Sequence, residues 1–319
     1  MIVILLRLIF FIIKLPFSFS KNEIMIIIKE KGLQTLFNEI NDSFSKPTEI
    51  KINNITQSKI EYKYELTEPE NRILIIWENP LPTCERMFYN LTNITYIDFS
   101  NFNGSNLNTM HEMCSGCTNL KSINLNILET PIVKNMEKIF YNCINLESVD
   151  LSNLNTVSVR TMVGMFYNCI SLTTLDLSSF DTNSVESMEN MFFGAKSLKS
   201  LDLSNFVLTS INNMKKMFYN CTSLIFLNLK NFGVKKENLV VNDIFSDNLK
   251  HLVYCIDEKE SSIILEAIKS VNENNDCSNA CFSENKEFII EDKKCVEYLE
   301  NSEVIDTKTI YLSDNLINT

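Results

Sequence analysis

Cysteine, histidine and aspartate are the residues of this chain whose types and spacing could do chemistry. His111, Cys114 and Cys117 form H-x-x-C-x-x-C. In isolation that spacing suits zinc, which takes nitrogen and sulfur ligands in a tetrahedral set and would want a fourth. Asp98, Asn124, Asp150, Asp176, Asp202 and Asn228 recur every 26 residues, an oxygen-rich column of the kind calcium prefers. Stacked carboxylates repel, so flanking hydroxyls, backbone donors, water or a cation must offset them. Catalysis is poorly supplied: the chain has two histidines, His111 and His251, no Gly-rich phosphate loop and six glycines in all. A column repeated along the chain does not bring different groups to one point, as a catalytic centre requires, so no catalytic residue is assigned and the protein reads as a non-enzyme.

The 26-residue spacing of the aspartates is that of the whole central region. Met110, Met136, Met162, Met188 and Met214 stand 26 apart, and Cys84 and Val240 extend the series by one step on each side. Such a period means a solenoid, in which each unit buries its apolar face only by stacking on its neighbours. Counting each unit from its Met, positions 1, 4, 5 and 8 are apolar (Met162, Met165, Phe166, Cys169), the spacing of a helical face about two turns long. Position 7 is Asn90, Gly116, Asn142, Asn168, Gly194 and Asn220, residues that enter the left-handed conformation readily and so stop the helix. The period then becomes two: apolar positions 14 and 16 (Leu175 and Leu177) flank polar position 15, as in a strand with one buried face. Position 19 (Phe180, Phe206) returns to the core. Each unit is expected to be strand, turn and short helix.

The pattern M-x-x-M-F-x-N-C-x-x-L-x-x-L-D-L-S-x-F, carried by six consecutive units from Cys84 to about Cys255, resembles the BspA-like leucine-rich-repeat surface proteins known from bacteria and protists. Ordinary leucine-rich repeats share the order L-x-x-L-x-L, but here Asn101, Asn153, Asn205 and Asn231 fall one residue earlier than their asparagine. The expected fold class is α/β: a right-handed leucine-rich-repeat superhelix, a parallel β solenoid with one strand and one short helix per coil. A β-rich N-terminal cap and a disulfide-stapled C-terminal cap would close it. The resemblance implies adhesion to host or cell-surface ligands.

Residues 1–20 have the layout of a secretory signal peptide, with Leu8 to Ile13 as the apolar centre; an uncleaved anchor is the alternative. Residues 21–83 leave the 26-residue register. Ile24 to Ile28, Glu49 to Ile52, Ile60 to Leu66 and Arg72 to Trp77 read as short strands, with Trp77 packing on the first coil through Ile97 or Phe99. The solenoid is assigned to 84–254, a cysteine-containing cap to 255–298 with a helix over Glu260 to Val271, and a loose tail to 299–319.

Cys117, Cys143, Cys169 and Cys221 all fall at position 8, where Leu91 and Ala195 stand in other units; a column that accepts Leu and Ala is a packing column, so these read as buried free thiols. Coils are expected to lie too far apart on the helical side, beyond about 7 Å, for a disulfide to join them. Cys114 takes the position-5 Phe place, which leaves His111 without a ligand set; no metal or other cofactor is assigned, and a Cys84–Cys114 bridge is a further possibility. Four cysteines lie outside the register, and of three possible pairings Cys255 with Cys277 and Cys281 with Cys295 is expected. Of the N-x-S/T sites, Asn41 and Asn54 are the expected glycosylation positions.

A net charge of -11 and a pI near 4.9 leave no basic stripe for nucleic acid. The function expected is a secreted or surface-displayed scaffold binding a protein or cell-surface macromolecule. Its open β face would comprise Tyr96, Asp98, Ser122, Asn124, Ser148, Asp150, Thr174, Asp176, Ser200, Asp202, Phe226 and Asn228. A structural coat component, or a metal-dependent enzyme with its site in the caps, are the alternatives.

Overall fold

The computed structural model describes residues 22–38, 46–125, 128–232, 239–246, 249, 252–256, 262–271, 286–289 and 294–297. The signal-peptide segment, Asn41, Cys277, Cys281 and the 299–319 tail lie outside these. The central region is a parallel β-solenoid of about six coils. β7 (Ile94–Asn101), β8 (Ser122–Asn124) and β9 (Ser148–Asp150) are in parallel register, with Tyr96 beside Ser122 and Ser122 beside Ser148. β10 (Ser200–Asp202), β11 (Phe226–Leu229) and β12 (Val253–Ile256) form a second parallel set. Between the sets, the coil of Thr174 to Asp176 runs without a ladder, so the expected single sheet is interrupted in the middle. A second line of contact does not break: parallel bridges link Thr83, Thr109, Asn135, Thr161, Ser187, Asn213 and Val240 in succession.

The short helices expected at positions 1 to 8 are not formed. Those residues instead make overlapping turns. The N–H groups of Met113, Ser115 and Cys117 each bond to the carbonyl three residues back, whereas those of Glu112, Cys114 and Gly116 donate to Glu137, Ile139 and Tyr141 in the next coil, at 2.7–2.9 Å. The cause is a second left-handed residue. Position 3 has positive φ in Arg86, Glu112, Lys138, Gly164, Asn190 and Lys216, just as position 7 has in Asn90, Gly116, Asn142, Asn168, Gly194 and Asn220. Each such residue turns alternate N–H groups out of the local path and toward the neighbouring coil, which an α-helix, with its donors aligned along its own axis, cannot do. Coils are therefore as close here as on the strand side: Phe140, Phe166, Phe192, Phe218 and Phe245 stack with ring centroids 5.5, 5.8, 5.7 and 5.4 Å apart. The apolar residues expected at positions 1, 4, 5 and 8 do point inward, since a turn ribbon with this spacing buries the same side chains as a helix would.

Ahead of the coils, β1 (Asn22–Ile28), β3 (Glu49–Ile52), β4 (Ile55–Thr56) and β6 (Asn71–Trp77) extend the first sheet in the order β4-β3-β6-β1-β7-β8-β9. β1 pairs antiparallel with both β6 and β7, so the edge of the first coil is hydrogen-bonded rather than open. β2 (Gly32–Thr35) and β5 (Lys63–Leu66) form a separate ribbon. Trp77, 1 % exposed, meets the first coil edge-on at Phe102, 6.3 Å between centroids, and Phe102 in turn meets Phe99 edge-on at 5.3 Å. After β12 come α1 (Ser262–Val271), which buries Ile264, Leu265 and Ile268, and the antiparallel pair of β13 (Lys286–Ile289) and β14 (Lys294–Glu297). Among the described residues no helix is long and apolar enough to cross a membrane.

Candidate functional site

The strand register assembles most of the expected open face. Position 13 aligns Tyr96, Ser122 and Ser148 and, in the second set, Ser200 with Phe226; position 15 aligns Asp98, Asn124 and Asp150, and Asp202 with Asn228. Ser148, Asp150, Thr174 and Asp176 are the most open. The carboxylates are held by backbone donors: the Oδ1 atoms of Asp98, Asp150, Asp176 and Asp202 accept the N–H of Ser100, Ser152, Ser178 and Ser204 at 2.8–3.1 Å. Asn228 does the same with Lys230, and its Nδ2 donates to Asp202 Oδ2 at 3.1 Å, so the carboxylate at this end of the column also meets a neutral donor. Burial, then the charge of Asp98, raises the Tyr96 hydroxyl above its ordinary range despite a hydrogen bond with Asn124.

Two members of that face are misplaced by the sequence reading. Phe226 and Asn228 are only 1 % and 3 % exposed. Their partners across the ladder are Val253 and Cys255, also buried, so the outward columns of the last two strands are apolar enough to need cover.

The thiols in the repeat register are buried and free as expected, for a different reason. Cys84, Cys114, Cys117, Cys143, Cys169 and Cys221 are buried and free, so Cys84 and Cys114 are not bridged. Coil separation does not keep them apart; their geometry does. Each position-8 thiol donates to the position-5 carbonyl of the preceding coil: Cys117 to Phe88 at 2.9 Å, Cys143 to Cys114 at 3.1 Å, Cys169 to Phe140 at 3.2 Å and Cys221 to Phe192 at 3.0 Å. Burial pushes the Cys143 and Cys169 thiols well up and that of Cys221 up to about 12. His111 lies on the other side of the backbone from these sulfurs, its ring between Glu85 (3.4 Å) and Glu137 (3.8 Å), so H-x-x-C-x-x-C does not converge. No group of three metal-binding side chains occurs among the described residues. The pairings expected for Cys255, Cys277, Cys281 and Cys295 depend on residues or side chains outside the description. Asn54 is exposed at the tip of the β3–β4 hairpin.

Three further columns carry structure that the sequence reading passed over. Position 21 is Thr130, Thr156 and Thr182, each at most 1 % exposed, whose hydroxyls donate to Asn155, Asp181 and Val207 in the next coil at 2.7–3.0 Å. Positions 2 and 3 form a charge lattice: beside the Glu85, His111, Glu137 row, Glu112 takes Arg86 at 2.6 Å and Lys138 at 3.6 Å. Burial alone would raise Glu112, but the Arg86 hydrogen bond, the charges of His111 and Arg86, and Lys138 outweigh it and hold the carboxyl below its ordinary range. Position 6 is an aromatic ladder on the turn side, Tyr141, Tyr167, Phe193 and Tyr219, with centroids 4.4, 4.6 and 5.4 Å apart. Aligning the repeats by their Met would have shown all three.

These features define a parallel β-solenoid repeat protein, with polar ladders on one side and stacked turns on the other. Two overlapping stretches, 82–177 and 148–251, match the family described as Mycoplasma protein of unknown function, DUF285; together they span more than half of the 319 residues, and the chain belongs to that family. No curated protein and no solved structure matches the chain.

Proposed function

We propose that the protein is a non-catalytic binding scaffold of the BspA-like leucine-rich-repeat type, secreted or displayed at a cell surface, which holds a protein or other surface macromolecule on its open face. The observation that supports this most directly is the registered pair of columns at positions 13 and 15, open at Ser148, Asp150, Thr174 and Asp176. There each aspartate is oriented by its own backbone, so the face presents acceptors in fixed positions. Preorganised polar groups on rigid elements suit recognition because little side-chain freedom is lost on binding. Export through the 1–20 segment, pairing of Cys255 with Cys277 and of Cys281 with Cys295, and glycosylation at Asn41 and Asn54 belong to the same proposal, since all three require the secretory route.

The test is capture from cell-surface extracts with the full chain and with a Ser148→Arg/Thr174→Arg variant, two bulky cations on the open face. A partner retained by the first and lost by the second is expected. A partner captured equally by both would sink the open-face assignment.

A further inference from the structure

The aromatic ladder at position 6 borders a cavity of about 380 Å³ on the opposite side of the solenoid from the open face. Its lining includes Lys138, Tyr141, Gly164, Tyr167, Lys215 and Lys216. That volume falls in the range of small-molecule sites. Gly164 opens it. The left-handed backbone at position 3 does not demand glycine, because Lys138, Asn190 and Lys216 take the same conformation at φ 52, 56 and 54. Glycine at 164 therefore removes a side chain that every other coil has, and leaves a notch between the flanking position-3 residues. Those residues are two coil spacings, roughly 10 Å, apart.

The lining is donor-rich and positive. Three ammonium groups line the cavity, those of Lys215, Lys216 and Lys138, the last also 3.6 Å from Glu112; the one carboxylate of the lining, Glu189, already accepts the Asn213 amide at 2.9 Å. In a chain with a net charge of -11 this is a local reversal of sign. The rings of Tyr141, Tyr167 and Phe193 lie within 13° of parallel to their neighbours in the stack, so the faces between them are covered by one another, and Lys138 Nζ lies over the Tyr141 ring at the end of the ladder, 6.0 Å from its centroid. What they turn outward is their edges, the positive part of the aromatic quadrupole. Burial, then the neighbouring Tyr141, raises the Tyr167 hydroxyl above its ordinary range, and the charge of Lys216 opposes this. Val163 and Phe193 supply the apolar part of the wall.

We propose that this notch binds a small organic anion, a carboxylate or phosphate ester whose charged head meets the lysines and tyrosine edges while its apolar body lies against Val163 and Phe193. Covered ring faces disfavour a neutral sugar, which would need an open face to stack on. The site is independent of the open β face.

Calorimetric titration of the full chain with phenyl phosphate, benzoate, inorganic phosphate, a glutamate-rich heptapeptide and benzyl alcohol tests this. Phenyl phosphate and benzoate should bind, more weakly as salt is raised, and benzyl alcohol should not. Lys215→Gln/Lys216→Gln should weaken phenyl phosphate roughly tenfold or more, the loss expected when charged hydrogen-bond donors are removed. Gly164→Asn refills the notch with a residue the same backbone carries at Asn190, and should abolish binding with the melting temperature kept. Absence of binding by both organic anions, or binding untouched by Gly164→Asn, overturns the site. Inorganic phosphate binding as tightly as phenyl phosphate overturns the organic body, and binding of the peptide without the small anions overturns the small-molecule reading.

Discussion

Cys169 donates its thiol proton to the Phe140 carbonyl of the preceding coil at 3.2 Å, and the same oxygen accepts the backbone N–H of Cys143 at 3.0 Å. One carbonyl thus closes a turn within its own coil and ties that coil to the next. Leucine would fill the position-8 column but could not make the second bond, which gives cysteine a role there beyond its size.

The thiol ladder predicts a reactivity pattern. Burial raises the thiols of Cys143, Cys169 and Cys221. The thiolate that reacts is therefore scarce even in mildly alkaline solution. Alkylation of the native protein at about pH 8.5 should leave them unmodified. The same treatment after denaturation without reductant should label all three, and mass mapping separates the cases. Under the proposed stapling, Cys255, Cys277, Cys281 and Cys295 should stay unlabelled in both.

Leu177 is 1 % exposed at the inner face, whereas Thr174 in the same coil is exposed. Leu177→Ala should cost roughly 2–5 kcal/mol, lost first from adjoining coils. Thr174→Ala should cost under about 0.5 kcal/mol. Urea unfolding of the two variants checks the register, because a shift by one residue would exchange their effects.

Gly116 has φ +78, and a Cβ there would lie 2.0 Å from Asn90 Oδ1. Gly116→Ala should therefore destabilise by about 1–2 kcal/mol from the left-handed backbone alone. The overlap with Asn90 adds to this, and because a side-chain end is a flexible obstacle, Asn90→Ala should remove that added part and leave the backbone part. A double-mutant cycle in urea measures the coupling.

Glu112 links its charge lattice to pH. Its folded-state pKa is depressed, so its contribution is fully present above the ordinary carboxylate pKa of about 4.3 and is lost as pH falls through the lower folded value. Arg86 is 52 % exposed, which limits what solvent leaves of the ion pair. Glu112→Gln should cost about 1–2 kcal/mol at pH 7, and the gap to the parent should begin to narrow below about pH 4.3 and close only below the lower folded value. Chemical melts at the two pH values decide it.

The repeat, its inward residues and the strands ahead of it were legible in the sequence, because apolar spacing reports which side chains are buried and little else is needed to place them. Position 7 announced its left-handed backbone through Asn and Gly. Position 3 did not: Arg86, Glu112, Lys138 and Lys216 adopt the same conformation although their side chains do not favour it. What holds them there is the hydrogen bond each makes to the neighbouring coil, such as Lys138 N–H to Val163 O at 2.9 Å, and no single repeat contains that partner. Hence a segment with the apolar spacing of a helix became a stacked turn. The same limit applies to the surfaces. The sequence determined that Asp98, Asp150, Asp176 and Asp202 share a column. Only the tertiary structure decided that Phe226 and Asn228 are covered and that Gly164 opens a notch beside the tyrosines, since both depend on what a neighbouring coil places against them.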